Sequence, residues 1–247
     1  MRIDLHAHST ASDGTDSPGA LVRQAREEGL DAVALTDHDT TAGWAEAAAA
    51  AGETGIGLVR GAEFSTRCHG RSVHMLSYLH DPASPAILDQ IERVRASRVD
   101  RAKAIAERLA ADLPITWEQI LQHAEPGATV GRPHIADTLI ELGIVADRNE
   151  AFAKYLHTRG PYYVRHYAPD SVAMIGCILA AGGVPVFAHP AAASRGRIVD
   201  DDAIASMAQA GLAGLEVGHR DNAPDQQARL RRLAQRLDLF TTGSSDF

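Results

Sequence analysis

Two histidines one residue apart stand near the start of the chain, in RIDLHAHSTASDG, and LTDHDTT then supplies Asp37, His38 and Asp39. Glu63 follows in RGAEFS, His74 in RSVHMLSY, His189 in VPVFAHP and Asp246 in TTGSSDF. Each lies within or at the end of a short apolar run. Imidazole and carboxylate groups without thiolate suit divalent Mn, Fe or Zn. One histidine at a strand end is more often a hydrogen-bonded structural residue than a ligand. Six strands each delivering His, Glu or Asp need another reason, because ionisable groups buried that densely repel or go unsatisfied unless cations balance them. The chemistry expected is that of bound metal ions.

The elements that must bring these residues together alternate along the chain. RIDLHA, DAVALT, GIGLVRGAEF, SVHMLSYL, VPVFAH, GLEVG and LFTTG are brief, apolar and bounded by Gly, Pro or Asp, as strands are. PGALVRQAREEG, GWAEAAAAAG, DSVAMIGCILAAGG and DQQARLRRLAQRL carry helical patterns between them. Such alternation predicts an α/β fold of parallel strands and crossover helices, and the number of units favours a closed barrel. Residues i and i+2 of a strand share a face, so His6 and His8 point together. In a parallel barrel the C-terminal strand ends converge on one rim, where active sites are built. From about Asp89 to His166 the pattern is helical, with no convincing strand. The expected division is a discontinuous barrel, residues 1–99 and 166–247, carrying a helical insertion, residues 100–165.

Composition narrows the function classes. The 247 residues are 45% hydrophobic and carry a net charge of -8, which argues against sequence-independent binding of duplex DNA. A small phosphorylated substrate held by a few arginines and metal ions remains compatible with that charge. No GxxxxGK[ST] or GxSxG motif is present, and GIGLVRG lacks the third glycine of a dinucleotide fingerprint. Cys68 and Cys177 form no CxxC, which fits a reducing compartment, and Cys177 sits in a helical apolar pattern that places it in the core. Without an apolar leader or a long apolar run, a soluble cytoplasmic protein with no membrane partner is expected.

Taken together, the opening HxH, TDHD, the isolated Glu63 and His74, AHP and GSSDF resemble the PHP superfamily, the polymerase and histidinol phosphatase metallohydrolases. LHAHSTASDG, LTDHDTT and GRPHIA are most similar to its branch of nucleoside 3',5'-bisphosphate phosphatases and short-RNA 5'-to-3' exoribonucleases of the ribonuclease AM type. The resemblance implies a distorted (β/α)7 barrel holding two to three divalent ions that cleaves phosphate esters. It implies His6, His8, Glu63 and Asp246 around one ion, and Glu63 bridging to a second ion held also by His74 and His134. Asp13 and His38 would take a third, which the family completes with a histidine two positions after the terminal Asp, just beyond Phe247. A hydroxide bridging such ions becomes a nucleophile at neutral pH because its pKa falls to about 7.

Arginine forks hold phosphate bidentately. Arg132, two residues before His134, is the expected clamp on the scissile phosphate, and Arg197 in SRGR is the choice for a second phosphate. His189 is open to three roles: metal ligand, phosphate donor, or acid for the leaving oxygen. His219 and Asp221 in EVGHRD stand at another strand end, where they would orient substrate. The basic run RVRASRVDRAKAIAER reads more readily as a solvated helix face than as an oligonucleotide track. The leading expectation is a metal-dependent phosphoesterase for small nucleotides or the 5' end of short RNA. The alternatives are a phosphatase for a non-nucleotide monoester such as histidinol phosphate, and a non-catalytic metal-binding module. Retention of nearly all the strand-end ligands speaks against the last.

Overall fold

The computed structural model describes residues 1–124, 130–157, 160–165, 167–193 and 198–247. Seven strands, β1 (Ile3–Ala7), β2 (Ala32–Leu35), β3 (Gly57–Cys68), β4 (Arg71–Tyr78), β5 (Val184–Phe187), β6 (Gly214–Gly218) and β7 (Phe240–Gly243), form one sheet in sequence order. Helices α1 (Pro18–Glu27), α2 (Trp44–Thr54), α3 (Pro85–Ala110), α4 (Trp117–Gln122), α5 (Arg132–Glu141), α6 (Arg148–Ala151), α7 (Ser171–Ala180), α8 (Asp201–Gln209) and α9 (Pro224–Arg236) lie between and after them. A π-helical turn, Phe152–Leu156, follows α6. This is the α/β barrel expected, with the sheet curled until its last strand meets its first. Among the described residues no helix is long and apolar enough to cross a membrane.

Local chemistry sets the elements. Ser17 caps α1 by accepting from the Ala20 N–H at 3.3 Å, and Pro18 supplies a preset φ at the first helical position. Leu21, Val22 and Ala25 of α1 then bury against Trp44, Ala47 and Ala50 of α2 and against Val33 and Leu35 of β2. Their removal from water is the main force holding this corner, at roughly 25 cal/mol per Å² of apolar surface. Farther along the sheet, Ile175 and Ile178 of α7, Ile204 of α8 and Leu230 and Leu233 of α9 cover Phe64, Met75, Phe187 and Leu215. The segment forming α8 was absent from the helices expected from periodicity.

One expectation needs correction, because the strands are not all parallel. β1–β2–β3 and β5–β6–β7 are parallel, but β4 is antiparallel to both β3 and β5. The cause is a tight turn at His69-Gly70, with φ of 49° and 76°. Positive φ at both central residues is the two-residue hairpin geometry whose twist matches the strands it joins. As β4 runs backwards, its N-terminal half sits at the rim. That is where His74 lies, opposite Ser65.

The register also builds a floor under the site. Glu63 lies opposite Leu76, and Leu76 opposite Val186, so all three side chains share one sheet face. Leu76 and Val186 belong to a buried cluster with Ala34, Tyr78 and Ala188. Beyond β7 the chain returns to β1. The Asp246 N–H donates to the His6 carbonyl at 3.0 Å, the His8 N–H donates to the Phe247 carbonyl at 2.8 Å, and the Ser245 hydroxyl reaches Asp4 Oδ2 at 2.5 Å.

The chain forms two compact units, one of Met1–Ile91 with Ala168–Phe247 and the other of Glu92–Tyr167. The second has its own core, including Ile105, Leu109, Ile120, Ile135, Leu139 and Leu156.

Candidate metal centre

β3 runs well past the end of β2, and where they part the His38 backbone bridges to Glu63. The Asp39 N–H donates to the Glu63 carbonyl and the Glu63 N–H to the Thr36 carbonyl, both at 3.0 Å. Glu63 is fully buried and its carboxylate is surrounded by imidazoles. Oε1 faces His74 Nδ1 at 2.8 Å and His189 Nε2 at 3.0 Å. Oε2 faces His38 Nδ1 at 3.0 Å, His6 Nε2 at 3.3 Å and His8 Nε2 at 3.4 Å.

His6 and His8 converge as the period of a strand requires, with their Nε2 atoms 3.0 Å apart. Asp246 Oδ1 joins them, 3.4 Å from His6 Nε2 and 3.2 Å from His8 Nε2. Among the described residues, three groups each offer one ligand atom per residue with those atoms all within 4.8 Å of one another: His6, His8 and Glu63; His8, Asp13 and His38; and His38, Glu63 and His74. Glu63, His8 and His38 each belong to two of these groups, which makes the groups neighbours. Asp13 is brought in by the loop after β1, where Gly14 packs so closely that a Cβ would lie 2.3 Å from the His8 carbonyl oxygen.

These residues fit divalent ions. Metal–ligand bonds of roughly 2.0–2.2 Å place adjacent donors about 3.0–3.5 Å apart, and the donor separations around His6 and His8 fall in that range. His8 Nδ1, His38 Nδ1 and Glu63 Oε2 are buried with no hydrogen-bond partner. Buried polar atoms are rarely left so. Three of them aimed into one cluster match a site built to ligate.

The electrostatics agree. Burial opposes charge on His6, but the Glu63 and Glu216 carboxylates outweigh it and hold the imidazole well above its usual range. Burial likewise opposes charge on His8, and Asp246 and Glu63 overcome it to raise its pKa. His38 goes the other way: burial lowers it to about 4 despite Glu63 and Asp13, leaving a neutral imidazole at neutral pH. Burial pushes Glu63 toward protonation, yet His38, His74 and His6 hold it well below the carboxylate range. Asp246 is pulled down against burial by its bonds to His219 and His8.

A surrounding set of residues holds these donors. Asp37 accepts from the Ser9 N–H, the Ser9 hydroxyl and the Ser12 hydroxyl, each at 2.7 Å, and so pins the loop that carries Asp13. Asp39 accepts from the Ser65 N–H at 3.0 Å. The Asp221 N–H donates to His219 Nδ1 at 3.0 Å, which leaves the His219 proton on Nε2 facing Asp246 Oδ2 at 3.0 Å. Both ring nitrogens of the residue expected to touch substrate are thus engaged within the protein. Sequence reading passed over Glu216, a fully buried carboxylate that meets His6 Nδ1 at 3.0 Å. Its signal was available, as the only charge in the apolar strand GLEVG.

Arg132 and His134 belong to the second unit, at the start of α5. Arg132 donates to the Leu156 carbonyl at 3.0 Å and lies 5.2 Å from the Phe152 ring centre, and burial lowers its pKa. The Gly131 N–H donates to His134 Nδ1 at 3.0 Å, which puts the proton of the neutral ring on Nε2. Burial lowers the His134 pKa. Arg197 lies outside the described residues. In the basic stretch of α3, Arg93 stacks 4.2 Å from the centre of the Tyr167 ring and Arg101 lies 5.6 Å from that of Tyr163.

Residues 4–124 match the PHP domain family. Along 99% of its length the chain is 34% identical to a 3',5'-nucleoside bisphosphate phosphatase of Chromobacterium violaceum, covering 86% of that protein. Along 100% of its length it is 35% identical to a 5'-3' exoribonuclease of Haemophilus influenzae, covering 89% of it. A crystal structure from Bifidobacterium adolescentis, described as that of a candidate metal-dependent phosphoesterase, superposes with a TM-score of 0.96 at 42% identity, over all of this chain and 87% of that one. Similar from end to end to such proteins, and with its histidines and acids gathered as described, the chain belongs to the PHP domain family.

Proposed function

We propose that this PHP-domain phosphoesterase removes phosphate from small nucleotides, nucleoside 3',5'-bisphosphates or 5'-monophosphates, or from the 5' end of short RNA. The observation that carries the reading is the Glu63 carboxylate ringed by His6, His8, His38, His74 and His189. Full-length similarity to a bisphosphate phosphatase and an exoribonuclease supports the nucleotide class. The cluster would hold two to three ions of Mn, Fe or Zn: His6, His8, Glu63 and Asp246 at one, Glu63, His38 and His74 at the next, and His8, Asp13 and His38 at the third. When bound, such ions neutralise the phosphate oxygens and lower the pKa of a coordinated water to about 7.

The chain's own residues do the rest. Arg132 clamps the scissile phosphate, and Arg197 takes a second one. His134 serves as a further metal ligand. His189, anchored through its backbone N–H to Glu216 Oε2 at 2.7 Å, presents its ring beside Glu63, and in this reading it passes a proton to the leaving oxygen. His219 acts on substrate indirectly, by holding Asp246. The two free cysteines suit a cytoplasmic setting.

The test is phosphate release by manganese-reconstituted protein from a nucleoside 3',5'-bisphosphate, the matching 5'-monophosphate, a short 5'-phosphorylated RNA and histidinol phosphate. Turnover of the nucleotide or RNA substrates, abolished by chelator, is expected. Turnover of histidinol phosphate alone would move the substrate class, and none at all would leave a metal-binding module.

A further inference from the structure

We propose that Glu216 is a positioning residue that fixes which nitrogen of His6 faces the metal centre. The inference rests on reading His6, His8, Glu63 and Asp246 as metal ligands. Glu216 sits in β6 with no exposure to solvent, and its two oxygens collect donors from three different segments. Oε1 meets His6 Nδ1 at 3.0 Å and accepts from the Ser244 hydroxyl at 2.6 Å. Oε2 accepts from the His189 backbone N–H at 2.7 Å. One carboxylate therefore ties β1, the segment after β5 and the segment after β7. Each of those segments carries a member of the cluster: His6, His189 and Asp246.

The consequence for His6 is chemical. A carboxylate is an acceptor only, so the nitrogen facing it must carry the ring proton. With the proton on Nδ1, Nε2 keeps its lone pair, and Nε2 is the atom that faces His8, Glu63 and Asp246. An acidic partner on the far nitrogen also makes the ring a stronger donor, and such partners are typically worth about 10- to 100-fold in metal affinity. The His189 contact does a second job. His189 has a φ of 30°, a left-handed conformation that a non-glycine residue adopts at a cost, and its N–H is anchored on the same carboxylate.

Glu216→Gln keeps the shape but cannot serve all three donors. Its amide must turn its NH2 either toward His189 N–H, a donor against a donor, or toward His6, where it would force the ring proton onto Nε2. The experiment is zinc titration of metal-free wild type and Glu216→Gln. It is joined to 15N NMR of the imidazoles in the zinc-loaded wild type, which needs no variant. A zinc affinity lowered about 10- to 100-fold in the variant, with circular dichroism unchanged, and a slowly exchanging His6 Nδ1–H in the wild type are expected. If Glu216→Gln binds zinc within twofold of wild type, or if His6 binds through Nδ1, the inference is overturned while the metal reading stands. A wild type that takes up no zinc overturns both.

Discussion

Nδ1 of His38 and Oε2 of Glu63 stand 3.0 Å apart, and neither has a hydrogen-bond partner. Two buried polar atoms at that distance would ordinarily bond to each other. Their misalignment, with both aimed into the cluster, fits ligands of a shared ion better than a histidine–carboxylate pair. Glu63 is the carboxylate shared by two of the three donor groups. Glu63→Gln, which keeps the side chain's size, should therefore lower bound metal at two positions together. It should also reduce phosphate release on the order of a thousandfold or more, the scale of removing a key electrostatic group. Metal analysis and kcat measured on the same preparation check this, and a variant that keeps both would show Glu63 is no bridge.

Asp37 should matter to only part of the centre. It holds Ser9 and Ser12, and through them the loop bearing Asp13. Asp37→Asn removes one acceptor from a three-donor arrangement. Affinity for the ion held by Asp13 and His38 should fall about 10- to 100-fold while the ion at His6 and His8 is retained. Metal titration resolved into separate sites measures the difference, and uniform weakening would contradict it.

Away from the centre, His80 predicts a pH effect on stability. It is buried against Trp44 and Phe64, its Nδ1 meets the Ser77 hydroxyl at 2.8 Å, and burial lowers its pKa to about 4. In the unfolded chain the ring titrates near 6.5, so between pH 6.5 and 4 the unfolded state binds the extra proton. Stability is thus fully present above about pH 6.5 and is lost as pH falls toward 4. Linkage gives a loss of roughly 2 kcal/mol between pH 7 and pH 5 from this ring alone. Urea unfolding at both pH values should show a drop for wild type that is smaller by about that amount in His80→Gln. An equal drop in both would rule His80 out.

If Arg132 clamps the scissile phosphate, Arg132→Ala should lower kcat/KM about 10- to 150-fold, the worth of a charge-assisted contact of roughly 1.5–3 kcal/mol. Because Arg132 also donates to the Leu156 carbonyl and packs on Phe152, thermal unfolding must be recorded alongside. Unchanged kinetics in a folded variant would remove Arg132 from the site.

Much of this was legible in the residues themselves. The strands carrying His6, Glu63, His189 and Asp246 announce themselves as apolar runs closed by polar residues, and strand periodicity alone pairs His6 with His8. The reversal of β4 was not so visible. His69-Gly70 is a short turn whose left-handed geometry joins antiparallel strands, yet a rule of alternating strands and helices reads straight past it. His74 reached the rim for the opposite reason to the one expected. Glu216 was hidden because periodicity assigns a strand's inward residues to the core, and a lone carboxylate there looks like an exception until its donors are seen. The roles of Asp37 and Asp39 were equally invisible, since only the folded loops show that they face Ser9, Ser12 and Ser65 while His38 between them faces Glu63.

The central claim is that the donors around Glu63 hold more than one ion, and metal content tests it most directly. Protein purified, stripped and reconstituted with manganese or zinc, then freed of excess metal, should retain two to three equivalents per chain by elemental analysis. Retention of well under one equivalent, with circular dichroism showing the fold intact, would contradict the account.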